Sequence, residues 1–188
     1  KLISLFLSTA LMCTALTGCG SSGSETSEGE AKDTIVYSMN TAPQGIFNPL
    51  ISNLAMDHYV ESVVYASLMT VNDQGELETY LADEYEVSDD QKTITYKINE
   101  DAKWHDGEDV TAEDIAFTFT SMASGDYTGG YYGDVQNIKG AQDYHDGKSS
   151  EIEGIKVVDE NTIEIEFEKV YAPAVTNLGT VQILPEHV

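Results

Sequence analysis

The sequence contains no arginine and only nine lysines, set against 33 aspartates and glutamates, which gives a formal net charge of -24 at pH 7. A surface with this charge repels the phosphates of nucleic acids and the headgroups of anionic lipids. We therefore expect no nucleic-acid partner. Attachment to a membrane through a basic patch is excluded for the same reason.

Long hydrophobic runs are also scarce, and the one that stands out lies at the start of the chain. Lys1 precedes an uncharged apolar run over residues 2–16, which leads into Leu-Thr-Gly-Cys at 16–19. The run is about as long as a signal-peptide core and shorter than the roughly 20 residues that cross a bilayer. The tetrapeptide matches the lipobox of bacterial lipoproteins. The pattern predicts a signal peptide over residues 1–18 and a lipid on the thiol of Cys19.

Cysteine is limited to two residues, Cys13 and Cys19. Removal of the signal peptide takes Cys13 away and the lipid occupies Cys19, so no disulfide is expected and the fold must rest on its hydrophobic core. A single lipid chain binds membranes only marginally, so we expect at least two chains on Cys19. The predicted location is the outer face of the cell membrane, held there by lipid.

The next segment has almost no apolar side chains. Residues 20–33 are mainly glycine, serine, threonine and glutamate, which predicts a flexible linker after the lipidated Cys19, so that 19–33 form a tether. The folded part is expected over residues 34–188.

Periodicity within residues 34–188 predicts a mixed α+β fold, without the regular strand–helix alternation of a parallel sheet. The alternation of Ile35, Tyr37 and Met39 predicts a first strand. Residues 53–70 are predicted to form a helix with one apolar face, made of Met56, Val60, Val63, Val64 and Leu68.

Further along, residues 85–98 predict a hairpin with a polar turn at 88–91. Thr111, with Asp114 three residues later, predicts a capped helix start. Strands are expected near 155–158 and 162–167, the latter with three glutamates on its outer face.

Candidates for catalysis or metal binding are few. The histidines are scattered, with no spacing typical of a zinc site (His58, His105, His145 and His187). No nucleophile elbow or phosphate-binding glycine loop occurs. We expect no enzyme activity, no metal and no cofactor. The glycine-rich loop over residues 125–133, expected to be mobile, carries Tyr127, Tyr131 and Tyr132, whose rings could contact a ligand or pack on the protein's own surface.

Several segments follow one another in the order and at the spacings of a known family. They are YASL at 65–68, LADEYEVSDD at 81–90, WHDG at 104–107 and VTAEDIAFTF at 110–119, flanked by IFNPL at 46–50 and ILPEHV at 183–188. Together they resemble the N-terminal part of the extracellular solute-binding proteins of family 5, the dipeptide- and oligopeptide-binding components of ABC importers. Tyr85 stands where the family often has tryptophan.

The resemblance implies an incomplete lobe of the type II periplasmic-binding fold, with a mixed sheet and antiparallel hairpins, in a fragment of a longer two-lobed protein. It further implies capture of short peptides between the lobes and delivery to a membrane permease driven by ATPase subunits. Asn40, Phe47 and Asn48 are the implied ligand-binding residues, followed by Tyr131 and Tyr132. Alternatives are another solute (a nickel complex, haem or an oligosaccharide), a surface-anchored hydrolase with catalytic residues beyond residue 188, and a structural or adhesive lipoprotein.

Overall fold

The computed structural model describes residues 36–188. The predicted signal peptide, Cys19, the linker and the first two residues of the predicted domain, 34–35, lie outside the described residues. The chain divides into two compact units, Lys1–Ser38 and Met39–Val188. All helices and strands given below lie in the second unit.

The elements of this unit are short and of both kinds. The helices are α1 (Ala55–Val64), α2 (Ala112–Ala123), α3 (Tyr132–Val135), α4 (Ala141–His145) and α5 (Ala174–Gly179). The strands are β1 (Met69–Val71), β2 (Leu77–Thr79), β3 (Ala82–Val87), β4 (Thr93–Ile98), β5 (Ile155–Asp159) and β6 (Thr162–Glu166). The expected mixed α+β class is confirmed.

The strands form a small sheet, β1-β2, and a larger one in the order β3-β4-β6-β5. Every strand pair between residues 36 and 188 is antiparallel. Two hairpins, β3-β4 and β5-β6, account for most of the larger sheet, and their connections are too short for the crossover that parallel pairing requires. The predicted hairpins are therefore confirmed, and the sheet expected to be mixed is antiparallel throughout this part.

The core lies between the larger sheet and α2. In the sheet, Ile94 of β4 lies opposite Ile165 of β6, and Tyr96 lies opposite Ile163. From the helix, Ile115, Phe119 and Met122 are fully buried at the spacing that the sequence predicted. Complete burial of each such side chain contributes about 1.5–3 kcal/mol. The outer face of β6 carries the glutamates, and Glu166 pairs there with Lys139 and Lys156.

The predicted helix start at Thr111 is confirmed, and its acidic partner does more than cap the helix. Asp114, which is buried, accepts the backbone N–H of Thr111 at 2.9 Å, the indole N–H of Trp104 at 3.1 Å and the backbone N–H of Glu186 at 2.8 Å. One carboxylate thus joins the start of α2 to the Trp-His-Asp-Gly corner and to the segment at 181–187. A second bond to that segment comes from Asp106, whose carboxylate lies 2.8 Å from Nε2 of His187.

The helix predicted over residues 53–70 is wrong in length and in orientation. It ends at Val64, and Tyr65 is already extended, because Ser67 pairs with Gln182 and Met69 enters β1. The predicted apolar face is divided: Val63 is 64% exposed and Val64 43%, Met56 and Val60 are half-buried, and Leu68, beyond the end of the helix, is fully buried. The buried face carries Asp57 and Glu61 instead.

The strand predicted around residues 35–39 is absent from the part that is described, residues 36–39. Val36 is 90% exposed and Tyr37 is 58% exposed. Alternating apolar residues form a strand where one face is buried against a neighbour. In residues 36–39 the alternation does not mark a buried face.

Substitution of Asp114 by alanine is expected to destabilise the protein by about 3 kcal/mol, because donors of three segments then lose one shared charged acceptor. Urea unfolding of the full-length protein measures this loss. Glu113→Ala, one residue earlier and exposed, is the control and should change stability by less than about 0.5 kcal/mol. Equal effects of the two substitutions would contradict the central place of Asp114.

Candidate ligand-binding surface

The candidate residues lie on two segments far apart in sequence, and the structure brings these segments together. The hydroxyl of Tyr127 donates to the carbonyl oxygen of Leu50 at 2.6 Å, and the N–H of Tyr131 donates to the Tyr127 hydroxyl at 3.3 Å. Burial raises the pKa of Tyr127 above its usual value. Segment 43–52 and the loop at 125–131 therefore form one continuous surface, and Tyr127 anchors a loop that the sequence predicted to be mobile.

Close contact between the two segments depends on a glycine. A Cβ placed on Gly129 would overlap the carbonyl oxygen of Leu50, a backbone atom that cannot swing away, and the hydroxyl of Tyr127. At Gly130, by contrast, a Cβ would meet no atom within 4 Å. The first of these two adjacent glycines is required for packing and the second is not.

The predicted residues of the first segment have different surroundings. Phe47 is 43% exposed and is available to a ligand. The side chain of Asn48 is engaged in a turn, since its Oδ1 accepts the N–H of Leu50 at 3.0 Å. Its carbonyl oxygen accepts the N–H groups of Ile51 and Ser52. Asn40 is exposed and forms no hydrogen bond with another residue between 36 and 188. Asn48 thus shapes the local fold of the loop, and the ligand roles of Asn40, Phe47 and Asn48 stay predictions.

The two predicted tyrosines point to different neighbours. Tyr131 is half-buried, and its pKa is raised by burial and by the negative charges of Glu61 and Asp134. Tyr132 stacks on His145 of α4, with ring centroids 4.1 Å apart, and its hydroxyl donates to Gln142 at 3.0 Å. Tyr131 therefore belongs to the surface shared with segment 43–52. The ring and the hydroxyl of Tyr132 are both engaged by α4.

Beneath segment 43–52 lie two carboxylates that the sequence analysis did not single out. Asp57 accepts the N–H of Gly45 at 2.9 Å, and Glu61 accepts the hydroxyl of Ser52 at 2.9 Å. Nδ1 of His58 lies 2.8 Å from the same Glu61 oxygen. The available signal was the spacing of these two acids, four residues apart on a helix whose other side is apolar.

The scattered histidines do not gather in the described part of the chain. Between residues 36 and 188 no three His, Cys, Asp or Glu side chains are placed so that they could hold a metal ion. His145 is stacked on Tyr132, and His105 is exposed. Within the same residues no helix is both long enough and apolar enough to cross a membrane. The surface leaves the aromatic ring of Phe47 exposed to a ligand.

Gly129→Ala is expected to separate the two segments, because the new methyl group and Leu50 cannot occupy the same space; such overpacking costs about 1–3 kcal/mol. Hydrogen exchange at the amides of Ile51 and Ser52 should become faster. Gly130→Ala, which has room for the methyl group, should leave that exchange unchanged. Equal exchange in both variants would show that this contact does not hold the surface together.

Comparison with families of known proteins gives a match over most of this unit. The family model described as "Bacterial extracellular solute-binding proteins, family 5 Middle" matches residues 76–187. Among curated proteins, the chain is 28% identical over 151 residues to the oligopeptide-binding protein OppA of Bacillus subtilis, covering 80% of this chain and 28% of that protein. It is 30% identical over 175 residues to the dipeptide-binding protein DppE of the same organism, covering 88% of this chain and 31% of that protein.

Solved structures agree with the sequence comparison. The OppA of Haemophilus influenzae in complex with RPPGFSPFR has a TM-score of 0.69 and 26% identity, covering 75% of this chain and 28% of that one. Peptide-bound OppA of Listeria monocytogenes has a TM-score of 0.68 and 27% identity, with the same coverage. The chain thus spans less than a third of the length of these proteins. With its fold and most of its length matched, this chain belongs to the bacterial extracellular solute-binding proteins of family 5.

Proposed function

We propose that the full-length protein is the peptide-binding component of an ABC importer, which captures short peptides outside the cell and delivers them to a membrane permease. The observation that carries this proposal is the joined surface of segment 43–52 and the loop at 125–131. It presents the exposed ring of Phe47 and the half-buried ring of Tyr131. Aromatic rings of this kind can contact the apolar side chains of a peptide.

The similarity to peptide-binding relatives supports the same ligand class. Two curated relatives carry oligopeptide- or dipeptide-binding in their names. Two solved relatives above 25% identity contain bound peptide. In this proposal a second lobe, outside the present chain, closes over the ligand by a hinge motion, and ATPase subunits supply the energy for import. The protein itself makes and breaks no bond.

Calorimetry of the full-length protein against a library of short peptides tests this function. We expect binding heats with dissociation constants in the micromolar range for at least some peptides. No heat with any peptide, together with clear binding of an oligosaccharide, haem or a nickel chelate, would contradict the proposal and favour one of the other solutes. Cleavage of the peptides would instead favour the hydrolase.

Two aromatic substitutions show whether binding occurs at the proposed surface. Phe47→Ala removes an aromatic contact and is expected to weaken the binding of the best peptide about tenfold. This corresponds to a loss of about 1.4 kcal/mol of binding free energy. Tyr80 is also an exposed aromatic residue but lies outside the two segments, so Tyr80→Ala is the matched control and should not change the affinity.

The proposal includes a lipid anchor on Cys19, which keeps the protein next to its permease, and residues 20–33 as the tether. Support comes from the sequence alone. We expect Cys19→Ala to move the protein from the membrane fraction to the soluble fraction of the cell envelope or medium, because no lipid can then be attached. Fractionation followed by immunoblotting measures this distribution.

Cys13→Ala is the matched control for the anchor. It removes the other cysteine, which the signal-peptide prediction places upstream of the cleavage site, and the protein should stay in the membrane fraction. If both variants partition like the original protein, Cys19 is not the anchor.

A further inference from the structure

Helix α1 turns two acidic side chains into the interior. Asp57 and Glu61 are both 0% exposed. Aspartate and glutamate are almost never fully buried unless they are paired with a positive charge. A positively charged partner is therefore expected for Asp57 and Glu61.

Each carboxylate has only one of its oxygens satisfied. Oδ1 of Asp57 accepts from Gly45, and Oε2 of Glu61 accepts from Ser52 and lies beside His58. The other oxygens, Oδ2 of Asp57 and Oε1 of Glu61, are buried and accept no hydrogen bond from any residue between 36 and 188. In that part of the chain no lysine forms an ion pair with either acid, and the basic side chain beside Glu61 is the imidazole of His58, on the oxygen that Ser52 also binds.

The chemistry of the two unsatisfied oxygens points to an organic cation. A buried carboxylate that lacks a donor is unfavourable, and a positively charged donor is its most effective partner. The acids are four residues apart on one helix face, with about 5–6 Å between their Cβ atoms. A single ammonium or guanidinium group carries several N–H donors and can serve both. No group of three metal-ligating side chains is present in residues 36–188.

The position of the pair indicates where this cation comes from. Gly45 and Ser52, which bind the two acids, belong to segment 43–52 of the proposed peptide-binding surface. Tyr131, from the opposite loop of that surface, lies close enough to Glu61 for the negative charge of Glu61 to raise the pKa of the Tyr131 hydroxyl. The acids thus lie where the two binding segments meet.

We propose that Asp57 and Glu61 bind the positively charged side chain of a lysine or arginine in the bound peptide, so that the protein selects cationic peptides. This rests on the proposed function. Both open oxygens are covered in the present arrangement, so the cation reaches them by moving segment 43–52 away from α1. That movement breaks the hydrogen bond from Gly45 to Asp57 and the one from Ser52 to Glu61, and a charged donor then takes the place of two neutral ones.

Two peptides that differ only in one charge test the proposal. Calorimetry on the full-length protein compares Ala-Lys-Ala with the same tripeptide carrying Nε-acetyl-lysine, which is neutral but similar in shape. We expect the lysine peptide to bind about tenfold more tightly or better. In Glu61→Gln the two peptides should bind with nearly equal affinity, and binding of the acetylated peptide shows that the variant is folded.

The matched control separates a local contact from the general negative charge of the protein. Glu86→Gln removes one negative charge from an exposed position on β3 and should leave the preference for lysine unchanged. A measurement without any variant gives an independent check. Raising the salt from about 0.1 M to about 0.5 M screens exposed charges but acts only weakly on a buried pair, so the preference should persist.

The outcomes distinguish this inference from the function on which it rests. If neither tripeptide nor any peptide of the library binds, the peptide-binding function itself fails. If both tripeptides bind equally well, only the charge selection is overturned. It is equally overturned if Glu61→Gln lowers the unfolding temperature of the ligand-free protein yet keeps the lysine preference, because the partner of the acids is then another part of the protein.

Discussion

The carboxylate of Asp114 is the interaction on which the arrangement of this unit depends. Its hydrogen bonds reach the N-terminus of α2, the indole of Trp104 and the backbone of Glu186. Because hydrogen bonds to a charged acceptor are stronger than those between neutral groups, this one carboxylate stabilises all three contacts. The helix that covers the sheet, the corner before it and the segment at 181–187 are all positioned by one side chain. Thr118, one turn further along α2, adds a bond to Leu184.

Asp114 and the pair Asp57 and Glu61 show two uses of a buried acid. Asp114 receives donors on both of its oxygens and is part of the scaffold. Asp57 and Glu61 each retain an oxygen without a donor among residues 36–188. All three are acidic and buried, so the number of hydrogen-bond donors is what distinguishes Asp114 from Asp57 and Glu61.

Local patterns were sufficient to predict much of the fold. The β3-β4 hairpin, the capped start of α2 and the alternation along β6 depend on residues close in sequence, and all are confirmed. The length and direction of α1 were not predictable in this way. Its apolar residues have helical spacing, but its orientation is set by bonds to Gly45 and Ser52 in another segment.

For the candidate site, the sequence identified the two segments that meet. It did not identify Tyr127 as the residue that joins them, because the bond from Tyr127 to Leu50 spans about 80 residues of chain. It also did not show that Tyr131 and Tyr132 have different surroundings, because the bond from Tyr132 to Gln142 spans about 10 residues.

The bonds made by residues 182–187 also govern the order in which this unit can fold. Gln182 pairs with Ser67, Ile183 binds the carbonyl of Ala66, and Glu186 reaches back 72 residues to Asp114. Contacts between residues so distant in sequence form late, because a long loop must close before they contribute any stability. During synthesis, the contacts of α2 with Leu184 and Glu186 therefore cannot form until the chain has grown by some seventy residues.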